Sequence, residues 1–281
     1  MNTPLGIVAG LGDLPVRVAE DTKASGRDVF VLRIAGFEEP ALEPYPGDVV
    51  GIGELGRQIK LLKAAGCEEL VFAGVVKRPD FSKIKLDMRG ARLLPKVLKA
   101  ARRGDDALLS LLVGVLEDEG FTVRGAESAA SGLLVPAGLV AGPKPTADHL
   151  ADLAKAHEIA GLIGTADIGQ GCIVCDGLVL AVEAQEGTDA MLARCAALPE
   201  EIRGTPDARR GVLVKRPKPQ QERRIDLPTA GVSTIEGAAA AGLAGIGLEA
   251  DGALMVDKDR MIARAEALGL FIYGLDPDPS P

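Results

Sequence analysis

This sequence of 281 residues has few aromatic side chains. Trp is absent, and aromatic residues together make up only 3% of the chain. Proteins that bind single-stranded nucleic acid stack bases on aromatic side chains, and duplex binders neutralise phosphates with a net basic surface. The formal charge here is −8, so we expect no nucleic-acid partner.

Histidine and cysteine are also scarce. The two histidines are His149 and His157, and we expect both at the surface rather than in catalysis. Cys172 and Cys175 form one C-x-x-C pair without a second pair or a neighbouring histidine. Zinc needs more ligands than this pair supplies, so packing in a core is the better interpretation. The sequence also shows no Ser-His-Asp or Cys-His arrangement.

Long hydrophobic runs are missing as well. The longest uncharged stretch, residues 128–143, is interrupted by glycine and proline. It is shorter than the ~20 apolar residues that a membrane-spanning helix needs. The first residues lack the basic start, apolar centre and cleavage site of a secretory signal. We therefore expect a cytoplasmic protein.

Strand and helix patterns alternate along the first half of the chain. Apolar, β-branched runs that predict strands occur at residues 5–9, 29–34 and 70–76, with amphipathic segments between them. Such alternation is typical of a parallel sheet with helical crossovers. We therefore predict an α/β protein whose N-terminal domain, residues 1–140, is Rossmann-like.

The second half has its own pattern of elements. A stretch rich in glycine and proline, residues 128–145, predicts the connection between two domains. Beyond it, two apolar runs flank Asp176-Gly177, a residue pair typical of tight hairpins. We therefore expect residues 141–281 to form a second α/β domain with a mixed sheet.

The charge is distributed unevenly. Residues 77–103 contain ten basic and two acidic side chains, and residues 203–226 contain eight basic and three acidic ones. Two basic segments in an acidic protein favour a local anionic partner, such as a phosphorylated ligand or a lipid headgroup. Solvated helix faces and loops are the alternative.

The turn after the first strand, residues 10–15, contains two glycines, Gly10 and Gly12. A dinucleotide fingerprint would have a third glycine where this chain has Pro15, and an acid at the end of the second strand. That strand contains Arg33 and ends without an acid, so nicotinamide or flavin binding is disfavoured. The glycines still allow a ligand to approach backbone amides at a helix start. An ordinary strand-to-helix turn is the alternative.

Three carboxylates and a hydroxyl crowd the segment from Glu183 to Asp189. Thr188 as a helix cap and Asp189 in the first turn would be explained by helix stability alone. Glu183 at the end of an apolar strand is not explained in this way. Carboxylates near phosphates usually bind Mg²⁺, which prefers oxygen ligands.

Basic residues and prolines dominate the segment 215–231. A flexible linker is one interpretation, although Ile225 and Leu227 are unusual in linkers. Lys215 and other basic side chains here are suited to binding a diphosphate. Asp226 is suited to binding a metal ion or orienting water.

Taken in order, these segments resemble one family. They are residues 9–15, 104–106, 167–170, 183–189 and 221–228. The set resembles the UDP-2,3-diacylglucosamine pyrophosphatases of lipid A synthesis in Gram-negative bacteria, LpxI type. The resemblance spans nearly the whole chain and implies two domains with an active site between them. It also implies Mg²⁺-dependent hydrolysis to UMP and 2,3-diacylglucosamine 1-phosphate. Glu222 stands where the family usually has Asp, whereas Asp226 matches the essential carboxylate.

The resemblance and the residue patterns together define the candidate site. Asp226 is the candidate catalytic residue, and Asp226, Glu183 and Asp189 are the candidate metal ligands. The candidate substrate-binding residues are Gly10, Leu11, Gly12, Asp13, Leu14, Lys77, Arg78, Gln170, Glu186, Gly187, Thr188, Asp189, Lys215, Lys218, Gln221, Arg224 and Thr229.

Further expectations concern the lipid. The apolar face of the amphipathic helix at residues 93–103 would contact acyl chains, and its basic side would meet anionic lipid at the cytoplasmic face of the inner membrane. A homodimer is left open. The alternative function is a non-catalytic carrier or sensor of nucleotide sugars or acidic lipids.

Overall fold

The computed structural model describes residues 3–77, 83–130 and 132–277. The chain forms two compact units. The first contains Met1–Ser131 together with Glu222–Asp226, and the second contains Gly132–Gln221 and Leu227–Pro281. The predicted α/β fold is confirmed, with a parallel sheet in the first unit and a mixed sheet in the second.

The first unit alternates strands and helices. Its elements are β1 Leu5–Ala9, α1 Asp13–Ala24, β2 Val29–Ile34, β3 Gly47–Val50, α2 Leu55–Ala64, β4 Glu69–Ala73, α3 Met88–Ala101, α4 Asp105–Asp118 and β5 Thr122–Arg124. All neighbouring strands are parallel, in the order β3-β2-β1-β4-β5. All five residues of β1 are buried, as expected for a central strand covered on both faces.

The strand order of the first unit reverses between β1 and β4. Open parallel sheets bind ligands outside the carboxyl ends of the strands at such a switch point. The turn after β1 and the segment after β4 therefore mark the edge of this sheet where a ligand is expected.

Helix α3 begins at Met88, five residues before the predicted start at residue 93. The reason is Asp87, whose carboxylate accepts hydrogen bonds from the amides of Arg89 (3.0 Å) and Gly90 (2.7 Å). Burial by itself raises the pKa of Asp87. The backbone amides that donate to its carboxylate have the larger combined effect, so the pKa lies below its usual value. The helix N-terminus is thus anchored by a charged cap.

Helix α4 begins after a glycine, although two aspartates, which are common N-cap residues, follow it directly. Gly104 is the N-cap residue, and Asp105 is the first helical residue. The carboxylate of Asp106 instead accepts the amide of Glu222 at 2.6 Å. Asp106 therefore contacts a segment that is distant in sequence instead of capping its own helix.

Within residues 132–277, the second unit contains four helices and eight strands. Its elements are β6 Gly138–Ala141, α5 Ala147–Thr165, β7 Gly171–Cys175, β8 Leu178–Val182, α6 Gly187–Ala196, β9 Val212–Lys215, β10 Thr229–Ala230, α7 Val232–Ala240, β11 Gly245–Glu249, β12 Leu254–Met255, α8 Lys258–Leu268 and β13 Phe271–Leu275. The six-stranded sheet has the order β6-β13-β11-β9-β7-β8. β9, β11 and β13 are parallel, whereas β6, β7 and β8 run antiparallel to their neighbours. β10 and β12 form a separate parallel pair.

The predicted hairpin between β7 and β8 is confirmed. Asp176 and Gly177 both have positive φ, +49° and +76°, as a tight turn between twisted strands requires. The carboxylate of Asp152 accepts both of their amides, at 2.9 and 2.8 Å. Helix α5 therefore fixes the hairpin to the face of the sheet.

The cysteine pair lies in the core, as predicted. Cys172 and Cys175 are fully buried in β7 and form no disulfide. Burial raises the pKa of the Cys172 thiol to about 12 and that of the Cys175 thiol to about 11. Both thiols are therefore protonated at neutral pH and act as apolar packing groups.

The prediction that both histidines lie at the surface is wrong for His157. Its side chain is only 6% exposed and belongs to a buried polar cluster in the second unit. His149 takes part in the N-terminal cap of α5, where its amide donates to Thr146 at 3.2 Å. The helical pattern of the sequence could not reveal the contacts of His157, because Glu249 and Arg216 come from the ends of two strands.

No helix in the described ranges has the length and apolar character needed to cross a membrane.

Candidate functional site

An apolar cavity of about 460 Å³ lies in the first unit, at the carboxyl edge of its sheet. This volume falls within the usual range for small-molecule sites. Side chains from β1, β2, β4, α2, α3 and α4 line it. Leu93, Leu94 and Val97 of α3 belong to the helix face that the sequence had assigned to acyl chains. Of the described lining residues, only Lys77 and Asp226 are charged.

Asp226 reaches this cavity on a short turn. The amides of Ile225 and Asp226 both donate to the carbonyl of Glu222 at 3.1 Å, which closes the turn. The amide of Glu222 in turn donates to Asp106 of α4, and Ile225 packs against the core of the first unit. The segment 104–106 and the segment 221–228, which the resemblance grouped together, thus meet at this turn.

Arg224 is held by two carboxylates. Its Nε and Nη2 donate to the two oxygens of Glu222 at 2.8 Å, and its Nη1 donates to Glu117 at 2.5 Å. The bidentate pair lowers the pKa of Glu222 and raises that of Arg224. A phosphate would therefore have to compete with both carboxylates for this guanidinium, and the predicted phosphate contact of Arg224 stays a prediction.

The first two amides of the glycine turn after β1 donate hydrogen bonds to the segment that follows β4. Gly10 and Leu11 donate to the carbonyls of Ala73 and Val75, at 2.9 and 3.1 Å. A Cβ on Gly10 would lie 2.5 Å from the Val75 carbonyl oxygen, so the close approach of the two segments requires glycine. Gly12, with φ +104°, donates its amide to the Glu39 carboxylate at 3.0 Å.

The remaining predicted residues of the first unit lie near this turn or outside the described ranges. Asp13 and Leu14 begin α1, where amides have no partner within the helix. Lys77 is exposed and lines the cavity. Arg78 lies outside the described residues.

In the second unit, several predicted residues gather at one edge of the sheet. Gly171 pairs with Lys215 across β7 and β9, and the amide of Glu183 donates to the Gly171 carbonyl at 2.8 Å. This row places Glu183 and Lys215 at the carboxyl ends of β8 and β9. Gln170, just before β7, lies at the same edge.

Glu183 is almost fully buried at the end of β8. Its Oε1 accepts the hydroxyl of Thr188 at 2.9 Å, whereas Oε2 has no hydrogen-bond partner among the described residues. The sequence suggested Thr188 as a cap of α6. In the structure its hydroxyl instead orients Glu183. A buried carboxylate oxygen without a donor is suited to a cation or a ligand hydroxyl.

The neighbouring acids are differently placed. Glu186 contacts Arg194 at 2.7 Å, and backbone amides together with Arg194 lower its pKa. Asp189 is exposed in the first turn of α6, which begins at Gly187 with φ +79°. Asp226 belongs to the first unit and Glu183 and Asp189 to the second, so a shared metal ion stays a prediction.

A polar network fixes the segment after β9. Lys218 Nζ contacts Asp167 at 2.5 Å, and the Lys218 amide donates to Gln221 at 2.8 Å. Gln221 Nε2 contacts Gln170 Oε1 at 3.4 Å. The structure thus brings together Gln170, Lys218 and Gln221, three residues of the predicted set.

The side chain of Lys215 contacts the backbone of Thr229. The buried Lys215 ammonium donates to the Thr229 carbonyl at 2.8 Å, and the Thr229 hydroxyl donates to the Leu227 carbonyl at 3.1 Å. Lys215 therefore holds the chain segment that enters β10, in addition to its predicted role toward phosphate.

No group of three or more His, Cys, Asp or Glu side chains within residues 3–77, 83–130 and 132–277 is arranged to bind a metal ion. A metal held entirely by protein ligands is therefore not supported in that part of the chain. A Mg²⁺ ion bound by one or two carboxylates, with water and substrate phosphates completing its shell, needs no such cluster.

Sequence reasoning missed three polar residues of the second unit. Arg216, Glu249 and His157 form a cluster at the ends of β9 and β11. An acidic residue that ends an apolar strand, as Glu249 does, can be recognised in a sequence when the strand itself is predicted. Its strand, β11, was not predicted, however, because glycine occupies two of its five positions.

Both units match known domains. Residues 4–133 match the LpxI N-terminal domain, and residues 136–273 match the LpxI C-terminal domain. The chain is also 52% identical over 277 residues to a Caulobacter vibrioides protein named UDP-2,3-diacylglucosamine pyrophosphatase LpxI, with 99% of each chain covered. These matches confirm the resemblance drawn from the motifs, and the chain belongs to the LpxI family.

Proposed function

We propose that this protein hydrolyses the diphosphate of UDP-2,3-diacylglucosamine to UMP and 2,3-diacylglucosamine 1-phosphate in lipid A synthesis. The relative from Caulobacter vibrioides is named for pyrophosphatase activity on this lipid. The observation that carries the proposal is the position of Asp226. It is a carboxylate at the edge of an apolar cavity large enough for a small-molecule ligand.

The cavity suits the lipid part of such a substrate. Burying acyl methylene groups contributes about 0.8 kcal/mol each, and the cavity wall formed by α3 and α4 is almost entirely aliphatic. Lys77 at the same cavity is suited to an adjacent phosphate. Acyl chains bound here would hold the polar end of the molecule close to Asp226.

Asp226 then has two available roles. Its carboxylate can orient the attacking water and accept its proton, or it can bind a magnesium ion. Water adds to one phosphorus, the bridging P–O bond breaks, and the electrons of that bond remain on the departing phosphate. Magnesium, when bound, would neutralise charge that develops on the phosphoryl oxygens.

The donor chemistry fits magnesium shared with substrate. Asp226 and Glu183 each offer a carboxylate, and Oε2 of Glu183 is buried without a hydrogen-bond donor among the described residues. Asp189 is the third predicted ligand. Lys215, Lys218 and Arg224 remain the proposed contacts of the two phosphates.

Purified protein incubated with UDP-2,3-diacylglucosamine is expected to release UMP and the lipid 1-phosphate in equal amounts, measured by chromatography and mass spectrometry. EDTA is expected to slow release about 100-fold or more, since magnesium contributes several kcal/mol to such reactions. Added Mg²⁺ would restore the rate. Binding of the lipid without hydrolysis would contradict the proposal and favour the carrier function.

Contact with an anionic membrane surface is part of the same proposal. Helix α3 exposes Arg92, Lys96 and Lys99, and Met88 at its start is 76% exposed. Each basic side chain near an anionic bilayer contributes about 1 kcal/mol. Since α3 also lines the cavity, contact through this helix would bring the cavity close to its lipid.

Sedimentation with lipid vesicles tests the membrane contact. The protein is expected to bind vesicles containing anionic lipid but not zwitterionic ones, and the triple variant Arg92→Glu, Lys96→Glu, Lys99→Glu is expected to lose binding. The exposed arginines of α8 provide the control variant, Arg260→Glu, Arg264→Glu, which should still bind. Equal binding by all three proteins would exclude α3 as the contact. Light scattering on the protein without vesicles measures whether it forms the homodimer that the sequence leaves open.

A further inference from the structure

The second unit contains a buried polar cluster that the predicted site does not use. Glu249, the last residue of β11, is 1% exposed, and its Oε2 lies 3.3 Å from Arg216 Nε. The same oxygen lies 3.5 Å from His157 Nε2 on α5. Arg216 Nη1 lies 3.4 Å from the other ring nitrogen of His157, Nδ1.

These contacts place the guanidinium of Arg216 between the Glu249 carboxylate and the His157 ring. A guanidinium has donors but no acceptor, so His157 Nδ1 is the acceptor in its contact with Arg216 Nη1. A Cβ on Gly161 would lie 3.0 Å from Arg216 Nη1, and one on Gly252 would lie 2.5 Å from Glu249 Oε1. Glycine at both positions leaves room for the two charged side chains.

Nε of Arg216 and Oε2 of Glu249 are buried and form no hydrogen bond in the described part of the chain, so their contact at 3.3 Å is an ion pair. A second donor group of the guanidinium lies outside this pair. Nη2 of Arg216 contacts no acceptor in the described part of the chain, and the side chain is 22% exposed. A buried ion pair adds little stability beyond that of well-packed apolar residues. A fixed guanidinium with an unused donor group is instead suited to binding a phosphate or carboxylate.

The position of Arg216 agrees with such a role. It directly follows Lys215 at the carboxyl end of β9, and its amide donates to the Gln170 carbonyl at 3.1 Å. Ligands of open sheets bind at the carboxyl ends of parallel strands. Lys215, Lys218 and Gln170, which are predicted substrate contacts, lie on the same short stretch of this edge.

We propose that Arg216 binds a phosphate group of the substrate through Nη2, and that Glu249 and His157 are positioning residues that fix its guanidinium. This inference rests on the proposed function for the identity of the phosphate. The contact itself requires only a phosphate anion. Lysine at position 216 would keep the charge but lose the planar donor group that Glu249 and His157 orient.

Calorimetric binding of inorganic pyrophosphate to the full chain, without magnesium, tests the contact. Arg216→Ala is expected to raise the Kd about 10- to 100-fold, the loss of one charge-assisted hydrogen-bonding group, and Arg216→Lys is expected to raise it by a smaller factor. The control is Arg264→Ala, which removes an exposed arginine paired with Glu236 and should leave the Kd unchanged. An unchanged Kd in either Arg216 variant that melts like the parent protein would overturn the proposal.

A double-mutant cycle separates positioning from general stability. Glu249→Gln and His157→Gln are each expected to weaken pyrophosphate binding in the parent protein and to have no further effect in the Arg216→Ala background. Effects that add in both backgrounds would show a merely structural role. Because pyrophosphate binding is measured without turnover, a chain that binds it through Arg216 but does not cleave the lipid contradicts only the proposed function.

Discussion

Replacing Asp226 with Asn is expected to lower kcat about 10³-fold while leaving the fold intact. The substitution keeps the size and one oxygen of the side chain but removes the charge that a bound magnesium ion or an attacking water requires. Groups that transfer a proton in the transition state typically contribute 10²- to 10⁴-fold. Asp226 is the only carboxylate among the described residues that line the apolar cavity. UMP release under saturating substrate measures the effect.

The matched control for Asp226 is Asp118→Asn. Asp118 is an exposed aspartate at the end of α4 in the same unit and does not line that cavity. It should turn over substrate like the parent protein. If Asp226→Asn retained the parent rate, Asp226 would have no role in the reaction, and another carboxylate would have to be sought.

Filling the cavity is the second change with a large expected effect. Val97→Trp is expected to raise KM for the diacyl substrate about 10- to 100-fold, since the indole displaces two or three acyl methylene groups at about 0.8 kcal/mol each. Val97 is half-buried on α3 and lines the cavity, so the larger side chain can enter it without breaking the core. Initial rates over a range of lipid concentrations measure KM.

Leu98→Trp provides the control on the same helix. Leu98 is 38% exposed and does not line the cavity, so its KM should stay at the parent value. UDP-glucosamine without acyl chains should bind the parent protein and Val97→Trp equally. A parent-like KM for the diacyl substrate in Val97→Trp would place the acyl chains elsewhere.

Much of the first unit could be predicted from periodicity. β1 and β2 have the predicted bounds, because each is a short apolar run that stops at glycine or at small residues. β11 was missed, although it lies at the centre of the second sheet. Its sequence, Gly245–Glu249, alternates glycine with larger residues, and only the tertiary structure supplies the neighbours that bury all five positions.

The candidate site was predictable in its residue types but not in its pairings. Arg224 was expected to bind phosphate, yet Glu117 from α4 and Glu222 hold it. The Gly12 amide was expected to meet a ligand anion, yet the Glu39 carboxylate occupies it. In both cases the partner is brought by tertiary folding, which spacing along the chain does not reveal.

The turn that bears Asp226 comes from a stretch synthesised about ninety residues after the rest of its unit. A truncated fragment ending at residue 131 would lack the Glu222 amide on Asp106, the apolar contact of Ile225 and the carboxylate at the cavity. During translation, this unit therefore acquires its last wall only after much of the following sequence has left the ribosome. Expressing the two halves separately, divided after residue 131, would therefore leave Asp226 on a different polypeptide from the cavity that it lines.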